Sequence, residues 1–314
     1  MLRLQPFRLL HPTSWEEAAR LLRDHPDARV LAGGTDLLPA MKLGQVQPST
    51  LISLRDVPGE QVHMEGASLV LGARLRLSDL SQHPLVQEHL GVLARTAALV
   101  ASPQVRNRAT LGGNLCLDTR CRFVNQSRFW RGALGGCLKA CGSECHAVPG
   151  GRQCVAALSS DLAPLLVALD ASLRLLDRDL PVLELYRADG AAHLALKPGE
   201  LLRQVVVPLP GAGERVTARK WRVRGSIDFP LVSVAVRLNV REGRLERGRV
   251  VVGVLGPRPR VVELPGGPLH EGLARDVAER VHRTCRPIPN VPYDPEYRRE
   301  RLRVEVERAV RELL

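Results

Sequence analysis

The sequence predicts an α+β protein, and three features of it do so. Through the first hundred residues, short apolar runs alternate with amphipathic runs of helical period, which is the pattern of strands interleaved with helices. From about residue 215 the texture differs: two β-rich runs separated by a polar turn are followed by two helical runs. At 314 residues and 45% apolar content, the chain can bury substantial cores and ordinarily divides into two or three domains.

Taken in order, His11-Pro12-Thr13-Ser14-Trp15-Glu16-Glu17 places Thr13 and Glu16 at capping-box spacing ahead of an amphipathic run through Leu21 and Leu22, so a helix starts there. Ala28 to Ala32 is a short apolar run, Gly33-Gly34-Thr35-Asp36 a turn, and Leu37 to Leu43 a helical run ended by Gly44. Leu51 to Leu54 and Leu69 to Leu77 read as strands, and Asp79 to Thr96 as helix interrupted at Pro84. From Thr110 to Asp161 glycines, arginines and cysteines crowd together and no periodicity persists. A loop of that length inside a compact domain is usually functional. Leu162 to Leu169 fits a buried helix or strand, Leu201 to Val207 a strand, and Pro208 to Arg215 a linker. Leu231 to Val240 and Arg249 to Leu255 are β-rich, and 269–284 and 296–313 are helical, which makes a small α+β C-terminal domain.

The net charge of +12 raises nucleic-acid binding. Lysine, however, occurs only at positions 42, 139, 197 and 220, and the arginines are spread without aromatic interleaving, so no nucleic-acid partner is expected. A basic face could still steer an acidic electron-carrier protein. The apolar runs fall far short of the ~20 residues that a membrane span requires. Met1 to Leu10 also lacks the continuous apolar region of a leader, so a cytoplasmic location is expected.

Two glycine turns carry the first chemistry. Gly33-Gly34-Thr35-Asp36 sits where a strand passes into a helix, so backbone N–H groups can approach an anion closely. Alone, it fits a tight turn better than a ligand site, and it matches neither the three-glycine dinucleotide fingerprint nor a nucleotide-hydrolase loop. Thr110-Leu111-Gly112-Gly113-Asn114 is a second such turn, and the pair suggests two contacts on one long ligand.

Six of the seven cysteines, at 116, 121, 137, 141, 145 and 154, lie in one window, with Cys285 far off. In a cytoplasmic protein that clustering points to metal rather than disulfides. Cys137, Cys141 and Cys145 recur every four residues and could share a helix face, and Cys145-His146 could complete a Cys₃His zinc site. The spacing leaves the metal open and makes Cys141 as well placed as Cys137.

The blocks "AGGTDLL" (32–38), "VRNRATLGGN" (105–114), "SDLAPLLVALDA" (160–171), "GELL" (199–202) and "RKWRVRGSIDFPLVSVAV" (219–236) stand in an order that resembles the FAD-binding subunits of the xanthine dehydrogenase and carbon monoxide dehydrogenase family. The resemblance implies a two-part FAD-binding domain of the molybdenum-hydroxylase flavoprotein type, 1–57 and 58–208, followed by a C-terminal domain over 215–314. It implies that Val30, Leu31, Ala32, Gly33, Gly34, Thr35, Asp36 and Leu37 hold the FAD pyrophosphate. Thr110, Leu111, Gly112, Gly113 and Asn114 would form a second contact, with Val100 nearby. Asp161 would accept from a ribose, and Lys220 would lie near the flavin ring, where a cation stabilises reduced flavin. No residue of this chain is expected to be catalytic toward substrate.

The insert at about 116–156, with "GGNLCLDTRC", "FVNQSRFWR" and "CLKACGSECH", resembles that of the beta subunits in the 4-hydroxybenzoyl-CoA reductase branch of the family. That resemblance implies a [4Fe–4S] cluster on Cys121, Cys137, Cys145 and Cys154. It also implies an electron-transfer role beside a molybdenum large subunit and a [2Fe–2S] small subunit, in a heterotrimer that dimerises, with ferredoxin as donor. The reaction implied is reductive dehydroxylation of an aromatic acyl-CoA. A flavin subunit of another molybdenum hydroxylase is the alternative.

Overall fold

A computed structural model describes residues 3–314, so the first two residues of the Met1–Leu10 reading lie outside the described residues. The fold is α+β throughout. β1 (Arg8–Leu10), β2 (Arg29–Leu31) and β3 (Thr50–Ser53) form a parallel sheet in the order β1-β3-β2, with α1 (Trp15–Asp24) and α2 (Leu37–Lys42) between the strands in sequence. The cap of α1 is one residue later than the spacing predicts. Ser14 accepts from Glu17 N–H at 3.1 Å, and Glu17 Oε2 reaches back to Thr13 N–H at 2.9 Å. This register buries Trp15, Ala18 and Ala19 on one face. Gly44 ends the α2 region at φ +64°, where a side chain would be strained.

A second, antiparallel sheet has the order β4-β5-β8-β6-β7, from β4 (Val62–Glu65), β5 (Ser68–Gly72), β6 (Ser172–Arg174), β7 (Asp179–Pro181) and β8 (Gln204–Pro208). The strand expected over 69–77 stops at Gly72, whose backbone abuts that of Gly59. A Cβ at Gly72 would lie 2.2 Å from the Gly59 carbonyl oxygen. The helical run expected over 79–96 is three short helices, α3 (Leu77–Gln82), α4 (Pro84–His89) and α5 (Gly91–Ala98). Pro84 takes the first position of α4, where its missing N–H costs nothing. Then come α6 (Pro103–Arg106), α7 (Leu111–Leu115) and α8 (Arg128–Ala133). Cys137, Cys141 and Cys145 do not share a helix face as their spacing allowed. They lie in irregular backbone, in which the Cys137 carbonyl accepts from both Ala140 and Gly142.

The last unit is a sheet ordered β12-β11-β10-β9, built from β9 (Glu214–Trp221), β10 (Val232–Arg241), β11 (Arg244–Gly253) and β12 (Arg260–Leu264), with the short β13 (Gly267–Pro268) on β11. β9 begins inside the stretch read as linker, because its alternation is written in charges. Thr217 and Arg219 bond to carboxylates of α11 (Pro295–Leu313), while Val216 and Ala218 pack on the opposite core. One face of the sheet, with Val232, Val234, Val236 and Leu238, packs on α10 (Leu273–Thr284) and α11. The other face packs on α9 (Ala163–Ala168), all six residues of which are buried. An element apolar on every side carries no periodicity, which is why helix and strand fitted it equally.

Candidate functional site

The two glycine turns touch. A Cβ on Gly33 would lie 2.0 Å from the Arg108 carbonyl oxygen, so glycine at 33 lets the approach to the second turn pass against the first. Gly34 lies at φ +74°. Among the described residues, the N–H groups of Gly33, Gly34, Thr35, Asp36 and Leu37 donate to nothing in the protein, and the segment from Leu31 to Leu38 is half-buried. That leaves a run of donors available to an anion.

The second turn differs from the first. Leu111 and Gly112 N–H donate to Leu75 and Ala73 carbonyls at 2.9 and 2.8 Å, Gly113 N–H to Thr110 Oγ1 at 3.1 Å, and Asn114 N–H to Thr110 O at 2.9 Å. Its donors, expected for a ligand, are consumed by the fold. Asn114 is buried, and its Oδ1 accepts from Ser160 Oγ at 2.7 Å and Leu162 N–H at 3.3 Å, so it holds the turn carrying Asp161.

Asp161 and Lys220, read separately in the sequence, form one ion pair at 2.7 Å, with each side chain 5% exposed. Nζ also donates to Leu99 O at 3.2 Å. Burial pushes the Asp161 carboxyl up and the Lys220 amine down, and the partner's charge opposes each shift. Arg222 also donates to Leu99 O, at 2.7 Å, and Arg106 to the carbonyl of buried Val100 at 2.7 Å. Val30 packs on the main core beneath the first turn, and Leu37 opens α2. A continuous wall thus runs from the first turn through 108–114 and 160–162 to Lys220 and Val100. It presents unclaimed donors at one place and a buried carboxylate–ammonium pair at another, which fits a long ligand with phosphate and hydroxyl groups.

The insert is fastened to this wall. Asp36 pairs with Arg120 and accepts from Asp118 N–H at 3.3 Å, and Arg120 lies 3.9 Å above the ring of Phe229 in the C-terminal unit. Cys121, Cys137, Cys145 and Cys154 line one small cavity together with Phe123, Lys139 and His146. All are free thiols. Burial raises the Cys121 thiol and pushes Cys154 up to about 11; a charge on Cys137 would raise either further. The other three stand apart. Cys116 is pushed up to about 12 by burial next to Tyr186, Cys141 is exposed at φ +58°, and Cys285 sits in the C-terminal core. Among the described residues no three His, Cys, Asp or Glu side chains converge as a single ion's ligands would, and His146 Nε2 is bonded to the Gly136 carbonyl at 2.6 Å. Sequence reasoning missed Asp118, Arg120, Lys139 and Phe229. The scarcity of lysine was the one available signal, for Lys139.

Fold and site together define a protein with a two-sheet ligand-binding region and a C-terminal sheet-and-helix unit. Residues 5–210 match the family model described as FAD binding domain in molybdopterin dehydrogenase, and 218–313 match the CO dehydrogenase flavoprotein C-terminal domain. The aldehyde oxidoreductase FAD-binding subunit PaoB of Escherichia coli is 35% identical over 270 residues, 82% of this chain and 83% of that one. The carbon monoxide dehydrogenase medium chain of Hydrogenophaga pseudoflava is 45% identical over 106 residues, 33% of this chain and 37% of its own. A solved structure of carbon monoxide dehydrogenase from the same organism, lacking the Mo-pyranopterin moiety, superposes with a TM-score of 0.79 at 25% identity, covering 98% of this chain and 97% of that one. The chain belongs to the molybdopterin-dehydrogenase FAD-binding family and is an FAD-binding oxidoreductase subunit of the molybdenum-hydroxylase type. None of its described helices is long and apolar enough to cross a membrane.

Proposed function

We propose that this chain is an electron-transfer subunit carrying FAD and one [4Fe–4S] cluster in a cytoplasmic molybdenum enzyme of the 4-hydroxybenzoyl-CoA reductase type. The single observation that carries the cluster is that Cys121, Cys137, Cys145 and Cys154 line one cavity while the other three cysteines stand elsewhere. Thiolates supply the soft anionic ligands that iron–sulfur clusters require. Residues 30–37 take the pyrophosphate, with the unclaimed N–H groups at 33–37 as donors, Asp161 accepts from a ribose hydroxyl, and Lys220 lends its charge to the flavin. Thr110 to Asn114 shape the second contact, with Val100 behind it. The family's domain division, 1–57, 58–208 and 215–314, is adopted with this reading.

A bound flavin exchanges electrons singly or in pairs and a cluster one at a time, so together they buffer and conduct. Around them Asn114 fixes Asp161, Asp161 holds Lys220 in its buried position, and the Leu99–Val100 carbonyls orient the cations. Substrate chemistry belongs to a molybdenum large subunit. A [2Fe–2S] small subunit completes a heterotrimer that dimerises, and ferredoxin is the donor.

The similarity to an aldehyde oxidoreductase subunit across 82% of the chain favours a second reading, in which the same wiring serves an aldehyde-oxidising complex. The purified chain should show flavin bands, a shoulder in the visible, and iron and sulfide in equal amounts. A chain with flavin but no iron would overturn the cluster, and one without flavin the cofactor site. Turnover of an aromatic acyl-CoA with reduced ferredoxin, against turnover of an aldehyde, separates the two substrates in the assembled complex.

A further inference from the structure

We propose that Lys139 is a positioning residue that pins the cysteine cavity to the flavin wall and sets the potential of the cluster held there, an inference that rests on the cluster reading above. Lys139 is one of four lysines in the chain and lines the cavity with the four cysteines. Its side chain is 11% exposed. The ammonium donates to Asp118 Oδ1 at 2.6 Å, Gly190 O at 2.9 Å, Thr119 O at 3.1 Å and the Thr119 hydroxyl. Each partner leads to a different part of the machinery. Asp118 N–H donates to Asp36 Oδ2 at the end of the first glycine turn. Thr119 is followed by Arg120, which pairs with the same Asp36. Gly190 N–H donates to the carbonyl of Cys154 at 2.7 Å. One buried ammonium therefore joins the Cys137 lobe, the Cys154 segment and the flavin turn.

The chemistry follows from charge. Reduction of a cluster adds one electron, makes and breaks no bond, and leaves one more negative charge inside the cavity. A fixed cation in a poorly solvated site favours that form, because Coulomb interactions grow as the local dielectric falls. Asp118, which balances Lys139, is 48% exposed, so water screens it more than it screens the lysine. The two charges should act on the cluster with opposite signs, whereas a purely structural clamp predicts no sign at all.

The test uses the full chain with Lys139→Met, Lys139→Arg and Asp118→Asn, assayed for iron, sulfide and FAD and titrated for the cluster potential by EPR of the reduced state. Lys139→Met should keep FAD and cluster but shift the potential downward. A tenfold change in the oxidised-to-reduced ratio at fixed poise corresponds to about 59 mV for one electron. Lys139→Arg should stay near the native value, and Asp118→Asn should shift upward. A fully loaded Lys139→Met chain with native potential, or a downward shift in Asp118→Asn, overturns the proposal. Should Lys139→Met lose its cluster, Asp118→Asn decides: an upward shift supports the electrostatic role, and an unchanged potential overturns it. A native chain without iron and sulfide overturns the cluster reading itself, and this inference with it.

Discussion

The Lys220 ammonium stands 2.7 Å from Asp161 Oδ1 with both side chains 95% out of water, and each is delivered to that position by residues remote in sequence. Lys220 lies on the face of β9 shared by Val216 and Ala218, which pack on the main core. Asp161 sits in a turn whose neighbours, Ser160 and Leu162, both bond to Asn114 Oδ1. The second glycine motif therefore acts on the proposed ribose site through Asn114, without lending N–H groups of its own.

Asp161→Asn leaves the buried Lys220 uncompensated, and breaking a buried pair from one side costs about 3–5 kcal/mol. The melting temperature should fall sharply and FAD should be lost. Asp161→Asn with Lys220→Met removes both charges, so stability should recover while FAD affinity stays roughly tenfold to a hundredfold weaker, the loss of one bond to a charged acceptor. Native FAD affinity in the double variant, measured by fluorescence titration, would remove Asp161 from the ligand's contacts.

Gly33→Val should release FAD by a route that the sequence did not suggest. Its Cβ would fall 2.0 Å from the Arg108 carbonyl, so the two turns must part before any ligand is considered. Gly132→Ala is the control: nothing lies within 4 Å of a Cβ there, and alanine in α8 should raise stability by about 0.5–1 kcal/mol with FAD unchanged. Equal FAD content in native and Gly33→Val protein would contradict the contact.

The first glycine turn, the C-terminal hairpin and the terminal helices were legible because their signals are local: glycine at a turn, and apolar period along a run; the second glycine pair lies inside the helix α7, capped by Thr110, rather than in a turn. β9 was not, since Glu214, Arg215, Thr217 and Arg219 are polar and their partners lie on α11 and Arg237, nearly a hundred residues away in the case of Arg215. The pairing of Asp161 with Lys220 and the four acceptors around Lys139 were invisible for the same reason, because they exist only once three chain segments meet. The cysteine spacing could not separate Cys137 from Cys141. The left-handed backbone at Cys141 turns that residue outward to solvent, and no periodicity argument contains that information.

Acid should weaken the C-terminal sheet where β9, β10 and β11 share Glu214. Burial by itself would raise the Glu214 carboxyl, but Arg237 at 2.7 Å, the Gly211 N–H at 3.0 Å and Arg247 at 3.1 Å bring it down to about 2, and Arg237 also pairs with Asp170 at 2.8 Å. A depressed carboxyl contributes stability above its unfolded value of 4.5, and that contribution fades as pH falls from there toward about 2. The contribution is about 1–3 kcal/mol, Arg247 being largely solvated. Urea melts across that window should flatten in Glu214→Gln; an unchanged slope would show that other carboxylates govern acid unfolding.

Single Cys→Ser changes at 121, 137, 145 and 154 should each abolish or sharply reduce bound iron and sulfide while FAD persists, because their thiols share one cavity and the first glycine turn is joined to it through Asp118 and Arg120 rather than through the thiols. Cys141→Ser should retain iron. Its residue is exposed and held at φ +58°, a conformation costly for a side chain, and it does not line the cavity. Cys116 and Cys285 are better tested as alanine, since burying a serine hydroxyl in either apolar setting costs about 1–3 kcal/mol where it is left unpaired, regardless of any metal. Both alanine variants should keep iron, with somewhat lower melting temperatures from the smaller side chain. Iron per chain, acid-labile sulfide and the EPR of the reduced protein, each normalised to FAD, give the ligand set directly. Loss of the cluster in Cys141→Ser with retention in Cys137→Ser would show that the 136–142 turn rearranges around the metal, and stoichiometric zinc in place of iron would end the electron-transfer role of the insert while leaving the flavin site intact.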